Sequence, residues 1–167
     1  MMYAAIAAPL FLAACGGDKK AETESTTDTT SAALPEVTTP SATVSNTVEI
    51  TGNDQMQYSM TEIRVKAGEQ VTLTFKNVGT MPIASMGHNF ILLAGGTDVE
   101  AFAMKAMVAK AENYIPSELK SSIMANTKLL GPGESDTITF TVPAGTYDYI
   151  CSFPGHYASM RGKLIAE

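Results

Sequence analysis

The chain has 167 residues, enough for one domain with a substantial hydrophobic core and an additional segment. Its formal net charge of −6 is divided evenly: five acids and two bases give −3 in residues 1–45, and twelve acids and nine bases give −3 in residues 46–167. Such a mildly acidic domain gives no reason to expect nucleic acid as a partner.

The first segment has the features of an export signal. The apolar run over residues 3–14 is far shorter than the ~20 apolar residues that a membrane-spanning helix needs. It ends in Leu12-Ala-Ala-Cys15, which resembles a bacterial lipobox, where the signal peptide is removed before a cysteine that then carries the lipid. We therefore predict a lipoprotein signal peptide over residues 1–14 and lipidation of Cys15. An ordinary signal peptide with an incidental cysteine is the alternative.

The segment that follows the cysteine has the composition of a flexible tether. Residues 16–46 are rich in Thr, Ser, Ala, Glu and Pro and show no hydrophobic period, so they cannot bury enough apolar surface to fold. A chain of this kind spans roughly 30 Å on average. Residues 15–46 are therefore predicted to join a lipid anchor to a folded domain over residues 47–167. Gly16 after Cys15 favours sorting to the outer membrane.

Short segments of alternating or continuous apolar residues predict β-strands in the rest of the chain. They fall at residues 48–50, 63–65, 71–75, 90–93, 138–142, 147–151 and 162–165, separated by turns rich in Gly and Pro. The clearest is Ile138, Phe140 and Val142, which alternate with threonines. Short strands at this spacing predict an all-β sandwich or barrel.

One segment has a helical period instead. Thr97-Asp-Val-Glu100 matches a capping box, in which Thr97 would begin the helix. Apolar residues then recur at helical spacing as far as about Ala111, namely Val99, Phe102, Ala103, Ala106 and Ala109. Asn113-Tyr-Ile-Pro116 ends the pattern. Because the apolar stripe is narrow, we expect a surface helix that lies on the sandwich.

Three residues with metal-binding side chains fall within ten positions near the end of the chain: Cys151, His156 and Met160. A further imidazole, His88, lies upstream, and the chain has only these two histidines. One thiolate, two imidazoles and a weak axial thioether are the ligands of a blue-copper electron-transfer site. Thiolate suits Cu(I), imidazole suits both oxidation states and a long thioether bond tunes the potential. The sequence therefore predicts one copper ion that alternates between Cu(I) and Cu(II).

The residues between the ligands support this hypothesis. Phe153-Pro-Gly155 predicts a tight turn, because Pro fixes one backbone angle and Gly accepts a conformation that other residues resist. Such a turn directs the Phe153 N–H at the sulfur of Cys151, with the Asn89 N–H on the other side. Hydrogen bonds to that sulfur raise the reduction potential, so we expect Asn89 and Phe153 to support the ligands.

Four motifs in this domain resemble azurins, a family of bacterial cupredoxins. They are Gly52-Asn-Asp-Gln-Met-Gln57, Met86-Gly-His-Asn89, Cys151-Ser-Phe-Pro-Gly-His156 and Met160-Arg-Gly162, and the resemblance extends over residues 47–167. It implies an eight-stranded Greek-key β-sandwich, cupredoxin-like, with one inserted α-helical flap. It also implies that His88, Cys151 and His156 are equatorial copper ligands, that Met160 is axial and that the Gly87 carbonyl oxygen is a distant fifth contact.

The same resemblance implies single-electron transport on the periplasmic side of a bacterial membrane. Its partners would be redox proteins such as c-type cytochromes or copper- or haem-containing reductases. Electrons would enter through an apolar patch around the edge of His156, and Met-rich apolar surfaces suit transient contacts. The predicted patch consists of Met56, Met81, Met86, Phe153, Pro154 and Ala158. Considered singly, each methionine is better explained as a core residue.

Three alternatives to an electron carrier were weighed. A nucleophilic Cys/His enzyme needs a group that orients the base, which the sequence does not offer, and it leaves Met160 unexplained. Copper storage or delivery favours exposed, exchangeable ligands, whereas this loop is suited to enclosing a metal. Zinc would accept the same ligands in a tetrahedral arrangement. The sequence thus favours an electron carrier that is not an enzyme, with copper storage or delivery as the second hypothesis.

Overall fold

A computed structural model describes residues 43–167. The predicted signal peptide, the lipidated Cys15 and nearly all of the predicted tether lie outside the described residues. Eight strands and two helices follow in chain order: β1 (Thr47–Gly52), β2 (Glu62–Val65), β3 (Gln70–Asn77), α1 (Ile83–Met86), β4 (Ile91–Leu93), α2 (Val99–Val108), β5 (Ile123–Asn126), β6 (Ser135–Thr141), β7 (Gly145–Ile150) and β8 (Arg161–Ala166). Within residues 43–167, no helix is long and apolar enough to cross a membrane.

The strands form two sheets with the main hydrophobic core between them. One sheet has the order β1-β3-β6 and the other has the order β2-β8-β7-β4-β5. Two pairs are parallel, β1 with β3 and β2 with β8, and the remaining pairs are antiparallel. The connections therefore pass from one sheet to the other, and the predicted sandwich with one helical flap is confirmed.

Alternation along β3 shows how the sequence produces this architecture. Val71, Leu73 and Phe75 are fully buried and face the core. On the other face, the hydroxyl oxygens of Thr74 and Thr137 lie 2.9 Å apart across the β3–β6 pair. Cross-strand pairs of this kind add to the stability of the sheet. The strict alternation in the sequence therefore corresponds to a sheet with one apolar and one polar face.

Strand β4 has no alternation because both of its faces are covered. Leu92 packs in the main core, whereas Ile91 and Leu93 form a second cluster with Ile150 and with the flap residue Phe102. Strands buried on both faces are expected to be continuously apolar. The flap helix α2 thus covers the outer face of the sheet at β4 and β7, as its apolar stripe predicted.

The N-terminus of α2 differs from the prediction. The N-cap is Asp98, not Thr97, and the Asp98 carboxylate accepts a hydrogen bond from the Ala101 N–H at 3.0 Å. Aspartate is at least as good an N-cap as threonine, and its negative charge is favoured at this end of a helix. The helix ends at Val108, and the predicted extension to Ala111 is instead a 3-10 turn over Lys110–Glu112.

Two elements were missing from the pattern-based prediction. Strand β5 is an edge strand whose four residues are all half-buried, so it has no apolar alternation to detect. Helix α1 is a single turn without buried residues, and its sequence has no capping side chain. Helix α1 is relevant to the site, because it ends two residues before the candidate metal ligand His88.

Candidate metal centre

His88 is held by the backbone between α1 and β4. Its N–H donates to the Leu130 carbonyl at 3.1 Å, and the Leu130 N–H donates back to the His88 carbonyl at 2.7 Å. The side chain is fully buried. This reciprocal pair fixes His88 to the segment before β6, so that its ring enters the sandwich at a defined position.

Cys151 follows the last residue of β7, and a loop of eight residues connects it to Met160 before β8 begins. Three backbone hydrogen bonds close this loop: His156 N–H to the Phe153 carbonyl at 3.0 Å, Met160 N–H to the His156 carbonyl at 2.8 Å and Cys151 N–H to the Met160 carbonyl at 3.0 Å. Gly155 has φ of 82°, a left-handed conformation that glycine adopts without strain. The loop is therefore a closed, hydrogen-bonded unit that presents several side chains to one point.

Cys151, His88 and His156 meet in this interior. The Sγ atom of Cys151 lies 3.9 Å from Nδ1 of His88 and 3.6 Å from Nδ1 of His156. The ligand atoms of all three residues lie within 4.8 Å of one another. Metal–sulfur and metal–nitrogen bonds of about 2.3 and about 2.05 Å at about 120° put their atoms about 3.8 Å apart. The observed spacings fit a shared metal ion, and the soft donor set is suited to copper.

Burial keeps these groups uncharged when no metal is bound. It raises the pKa of the Cys151 thiol to about 12, against the smaller lowering effect of hydrogen bonds from the Asn89 and Phe153 backbone. Burial lowers the pKa of His156 to about 4, with the nearby His88 acting in the same direction. Burial also lowers the pKa of His88, although the backbone of Asn53 opposes that shift. Neutral imidazoles are ready to bind a metal, which would displace the thiol proton.

The Nε2 atom of His88 points away from the sulfur. It is buried and has no hydrogen-bond partner of ordinary geometry within residues 43–167. The backbone of Asn53 nevertheless lies close enough to raise the pKa of the imidazole. A metal on Nδ1 requires the proton on Nε2, where the neighbouring Asn53 carbonyl stabilises it.

Met160 is fully buried on the same loop, and Gly52 makes room for it. A Cβ atom on Gly52 would lie 2.5 Å from the Met160 methyl carbon and 3.0 Å from the ring of Phe75. Only a residue without a side chain therefore fits at the end of β1. Gly87 is similarly enclosed, since a Cβ atom there would lie 2.8 Å from the Ile83 carbonyl oxygen.

Asn89 connects the two ligand-bearing segments through its side chain. Its Oδ1 accepts from the Ser152 N–H at 2.9 Å, and its Nδ2 donates to the Ser152 hydroxyl oxygen at 2.9 Å. The Ser152 hydroxyl donates in turn to the Tyr114 carbonyl at 2.6 Å. Asn89 and Ser152 are both buried. The residue after His88 and the residue after Cys151 are thus held together by two hydrogen bonds.

The predicted patch residues surround the end of the sandwich that carries the ligand loop. Met81 is 40% exposed, Met56, Met86 and Pro154 are half-buried, and Ala158 is exposed. Phe153 is mostly buried and stacks on His156 with ring centroids 4.7 Å apart. The carboxylate of Asp54 accepts hydrogen bonds from the Thr80 and Met81 N–H groups, and the Ser159 hydroxyl donates to the Met56 carbonyl. These bonds tie the three patch-bearing loops together.

Sequence reasoning missed three residues at this end of the molecule: Ile83, Tyr114 and Ser152. Ile83 is 41% exposed, and with Tyr114 and Phe153 it lines a groove of about 170 Å³. Ile83 carries no signal of its own, because it lies in the mostly apolar segment Met81-Pro-Ile-Ala-Ser-Met86. Tyr114 and Ser152 act through backbone atoms and tertiary contacts, which a sequence pattern does not reveal.

Comparison with known proteins identifies the family. The family described as copper binding proteins, plastocyanin/azurin family, matches residues 43–167. Azurin from Achromobacter denitrificans is 41% identical over 121 residues, which cover 69% of this chain and 80% of that protein. Auracyanin-A from Chloroflexus aurantiacus is 41% identical over 125 residues, which cover 72% of this chain and 74% of that protein.

Solved structures agree with this assignment. The reduced auracyanin of Roseiflexus castenholzii has a TM-score of 0.68 and 38% identity, covering 75% of this chain and 99% of that one. Auracyanin A, a "blue" copper protein of Chloroflexus aurantiacus, has a TM-score of 0.66 and 40% identity. The match covers 72% of this chain and 98% of that one. With its His/Cys/His site, the chain belongs to the plastocyanin/azurin family of copper binding proteins and is a blue-copper electron carrier.

Proposed function

We propose that this protein shuttles single electrons on the periplasmic side of a bacterial membrane through one type 1 copper ion. His88, Cys151 and His156 would hold the copper ion, with the Met160 thioether and the Gly87 carbonyl oxygen as weaker contacts. The observation that carries the ligand set is the spacing of Cys151 Sγ, 3.9 and 3.6 Å from the two Nδ1 atoms. Bound copper supplies a one-electron couple between Cu(I) and Cu(II).

The surrounding residues hold the ligand side chains still when the charge at the centre changes. His88 is fixed by its two hydrogen bonds with Leu130, and Cys151 by its bond to Met160. Asn89 links the two segments through Ser152. Because each ligand is attached to a strand end or to a closed loop, moving one ligand would break several hydrogen bonds at once. A preorganised site of this kind lowers the barrier for electron transfer because little rearrangement is needed.

Two backbone groups beside Cys151 favour its thiolate form against the effect of burial. The Asn89 and Phe153 hydrogen bonds to the enclosed sulfur lower the pKa of the thiol, whereas burial raises it by more. We assign to these two residues the role of stabilising the sulfur and setting the reduction potential through its hydrogen bonds. The site excludes water, since Cys151 and His88 are 0% exposed and His156 is 3% exposed. Buried ligands support a carrier over a storage or delivery protein, which must exchange its metal.

In this proposal, electrons enter and leave through the apolar patch. Its residues are Met56, Met81, Met86, Phe153, Pro154 and Ala158. Phe153 contacts the ring of His156, so the patch lies directly over a ligand. Exposed apolar area with few charges suits short-lived contacts with other redox proteins. The partners we propose are c-type cytochromes or copper- or haem-containing reductases.

Electron transfer to a small c-type cytochrome tests both the carrier function and the patch. Met81→Lys is expected to lower the second-order rate constant for electron transfer by about tenfold. Removing a lysine from water in an apolar contact costs more than about 1 kcal/mol of binding free energy. Stopped-flow mixing of the reduced protein with oxidised cytochrome measures this rate. The matched control is Met104→Lys on α2, since Met104 is 51% exposed and outside the patch.

Equal slowing by Met81→Lys and Met104→Lys would show that the patch has no special role. Copper that leaves the protein during the reaction, detected with a Cu(I) chelator present, would favour the delivery hypothesis over the carrier. Retention of copper over many reduction and oxidation cycles is the expected result.

The lipid anchor is the part of the proposal that concerns the N-terminal segment. Leu12-Ala-Ala-Cys15 supports it, and the length of 15–46 gives the domain enough reach to meet partners beyond the headgroups. The lipid would hold the carrier near its partners, which raises their effective concentration. We favour the outer membrane because Gly16 follows Cys15.

Cys15→Ser is expected to release the protein from the membrane fraction of the host while it remains exported and blue. Cell fractionation followed by immunoblotting measures the distribution. The conservative change keeps the size of the side chain and removes the atom that carries the lipid. A wild-type protein found wholly in the soluble fraction would contradict the anchor.

A further inference from the structure

The two imidazoles differ in what their backbones are bonded to. His88 has a reciprocal pair of hydrogen bonds with Leu130 of a distant segment, whereas the backbone bonds of His156, which begins the 3-10 turn His156–Ala158, stay within its own loop. Its ring lies at the surface end of the site and is nevertheless only 3% exposed. Neighbouring side chains must therefore hold that ring in place.

Phe153 lies between His156 and Tyr114. The Phe153 and His156 ring centroids are 4.7 Å apart at an interplanar angle of 41°. The Tyr114 and Phe153 centroids are 5.1 Å apart at 68°, an edge-to-face arrangement. Aromatic pairs of this geometry contribute beyond the area they bury. Tyr114 thus presses the ring that in turn rests on the histidine.

Tyr114 also contacts the other side of the ligand loop through its backbone. Its carbonyl oxygen accepts a hydrogen bond from the Ser152 hydroxyl at 2.6 Å. Its N–H donates to the Ala109 carbonyl at 3.0 Å, which ties it to the end of the flap helix α2. One residue of the flap segment therefore touches the neighbours of both Cys151 and His156.

The backbone of Tyr114 is strained. Its φ is 63°, and the preceding Asn113 has φ of 52°. Asparagine accepts the left-handed region readily, but a bulky aromatic residue rarely does. Such a conformation persists only where surrounding contacts over-determine it, and it is common next to functional sites. The contacts that hold Tyr114 are those with Phe153 and Ser152.

We propose that Tyr114 is a positioning residue of the metal centre. It holds Phe153 against His156, so that the imidazole cannot turn or withdraw when the charge of the bound metal changes. Tyr114 in this way links the flap segment to the site. The inference rests on the proposed role of His156 as a ligand.

Tyr114→Ala tests this role, with Tyr147→Ala as the matched control. Tyr114 is 9% exposed and Tyr147 is 8% exposed, and the Tyr147 hydroxyl donates to the Pro143 carbonyl, away from the ligand loop. The interaction free energy of an edge-to-face pair corresponds to about a two- to tenfold change in an equilibrium constant. Because the contact restrains His156 differently in the two oxidation states, we expect Tyr114→Ala to change the Cu(II)/Cu(I) equilibrium constant by up to that factor and to move the charge-transfer band. Tyr147→Ala should lower the unfolding temperature and leave both unchanged.

A further measurement tests the same contact without depending on the redox or optical properties of copper. In the zinc-loaded protein, NMR is expected to show Phe153 ring flips at least about tenfold faster in Tyr114→Ala than in Tyr147→Ala, because the edge contact adds to the flip barrier. Tyr114→Phe keeps the ring and should restore the wild-type spectrum and equilibrium constant. If Tyr114→Ala fails to fold, Tyr114→Leu replaces it, since Leu fills the space without the edge contact.

A Tyr114→Ala or Tyr114→Leu protein with the wild-type band position and the wild-type Cu(II)/Cu(I) equilibrium constant would overturn the positioning role. A lowered unfolding temperature alone would not support it. A wild-type copper protein that is colourless would instead contradict the proposed copper site, so the two failures are distinguishable.

Discussion

Cys151→Ser is expected to abolish the intense visible absorption of the copper(II) protein. That absorption arises from charge transfer between a thiolate sulfur and copper, and a serine hydroxyl supplies neither the soft sulfur nor an easily formed anion. Among residues 43–167, Cys151 is the one cysteine, and its sulfur lies 3.6 Å from the Nδ1 atom of His156. Aerobic titration with Cu(II), followed by visible and paramagnetic resonance spectroscopy, measures the effect.

Cys15→Ser is the matched control for this experiment. It removes the chain's other cysteine, so any colour that depends on Cys151 should persist at full intensity. A blue Cys151→Ser protein would contradict the assignment of the sulfur ligand. A wild-type copper complex that is colourless and redox-silent would contradict the whole site.

Met160→Leu is expected to raise the reduction potential by at least about 60 mV, which is a tenfold change in the Cu(II)/Cu(I) equilibrium constant for one electron. Removing a weak axial thioether leaves three strong ligands and an apolar side chain, and both changes favour the singly charged ion. The Met-to-Leu exchange costs less than about 1.5 kcal/mol of stability in most cores, so the folded protein can be studied. Protein-film voltammetry gives the potential directly.

Met124→Leu controls for the general effect of replacing a methionine in this core. Met124 lies on the edge strand β5, is half-buried and packs against the same core cluster. Its potential should match that of the wild type. If Met160→Leu shows no larger shift than Met124→Leu, the axial role of Met160 is wrong.

The sequence predicted the sandwich because most strands have one apolar face, and alternation reports that directly. It could not predict β5, since an edge strand covered only in part shows no period. The misplaced N-cap has a similar origin. Thr97 and Asp98 are both good capping residues, and the choice between them depends on which backbone turns first into the helix.

Prediction of the site was limited in the same way, because local spacing is visible in the sequence and tertiary packing is not. Cys151, His156 and Met160 are close in sequence, so their grouping could be predicted from local spacing, and the scarcity of histidine identified His88. Tyr114 is different, because it reaches the ligand loop only through a strained turn after the flap. Its role depends on tertiary packing between segments nearly forty residues apart, as the Tyr114–Ser152 separation of 38 shows.

His88 and Cys151 are 63 residues apart, and they meet only where β4 pairs with β7, at Ile91 and Ile150. An unfolded or half-folded chain must close a long loop before it can offer both ligands to one ion, and loop closure opposes that. A metal ion can therefore bind both ligands only late in folding, when the topology is already complete. A ligand that binds the native state alone stabilises it by about 2.7 kcal/mol at a hundred times its dissociation constant, so bound copper would raise the free energy of unfolding of the whole sandwich.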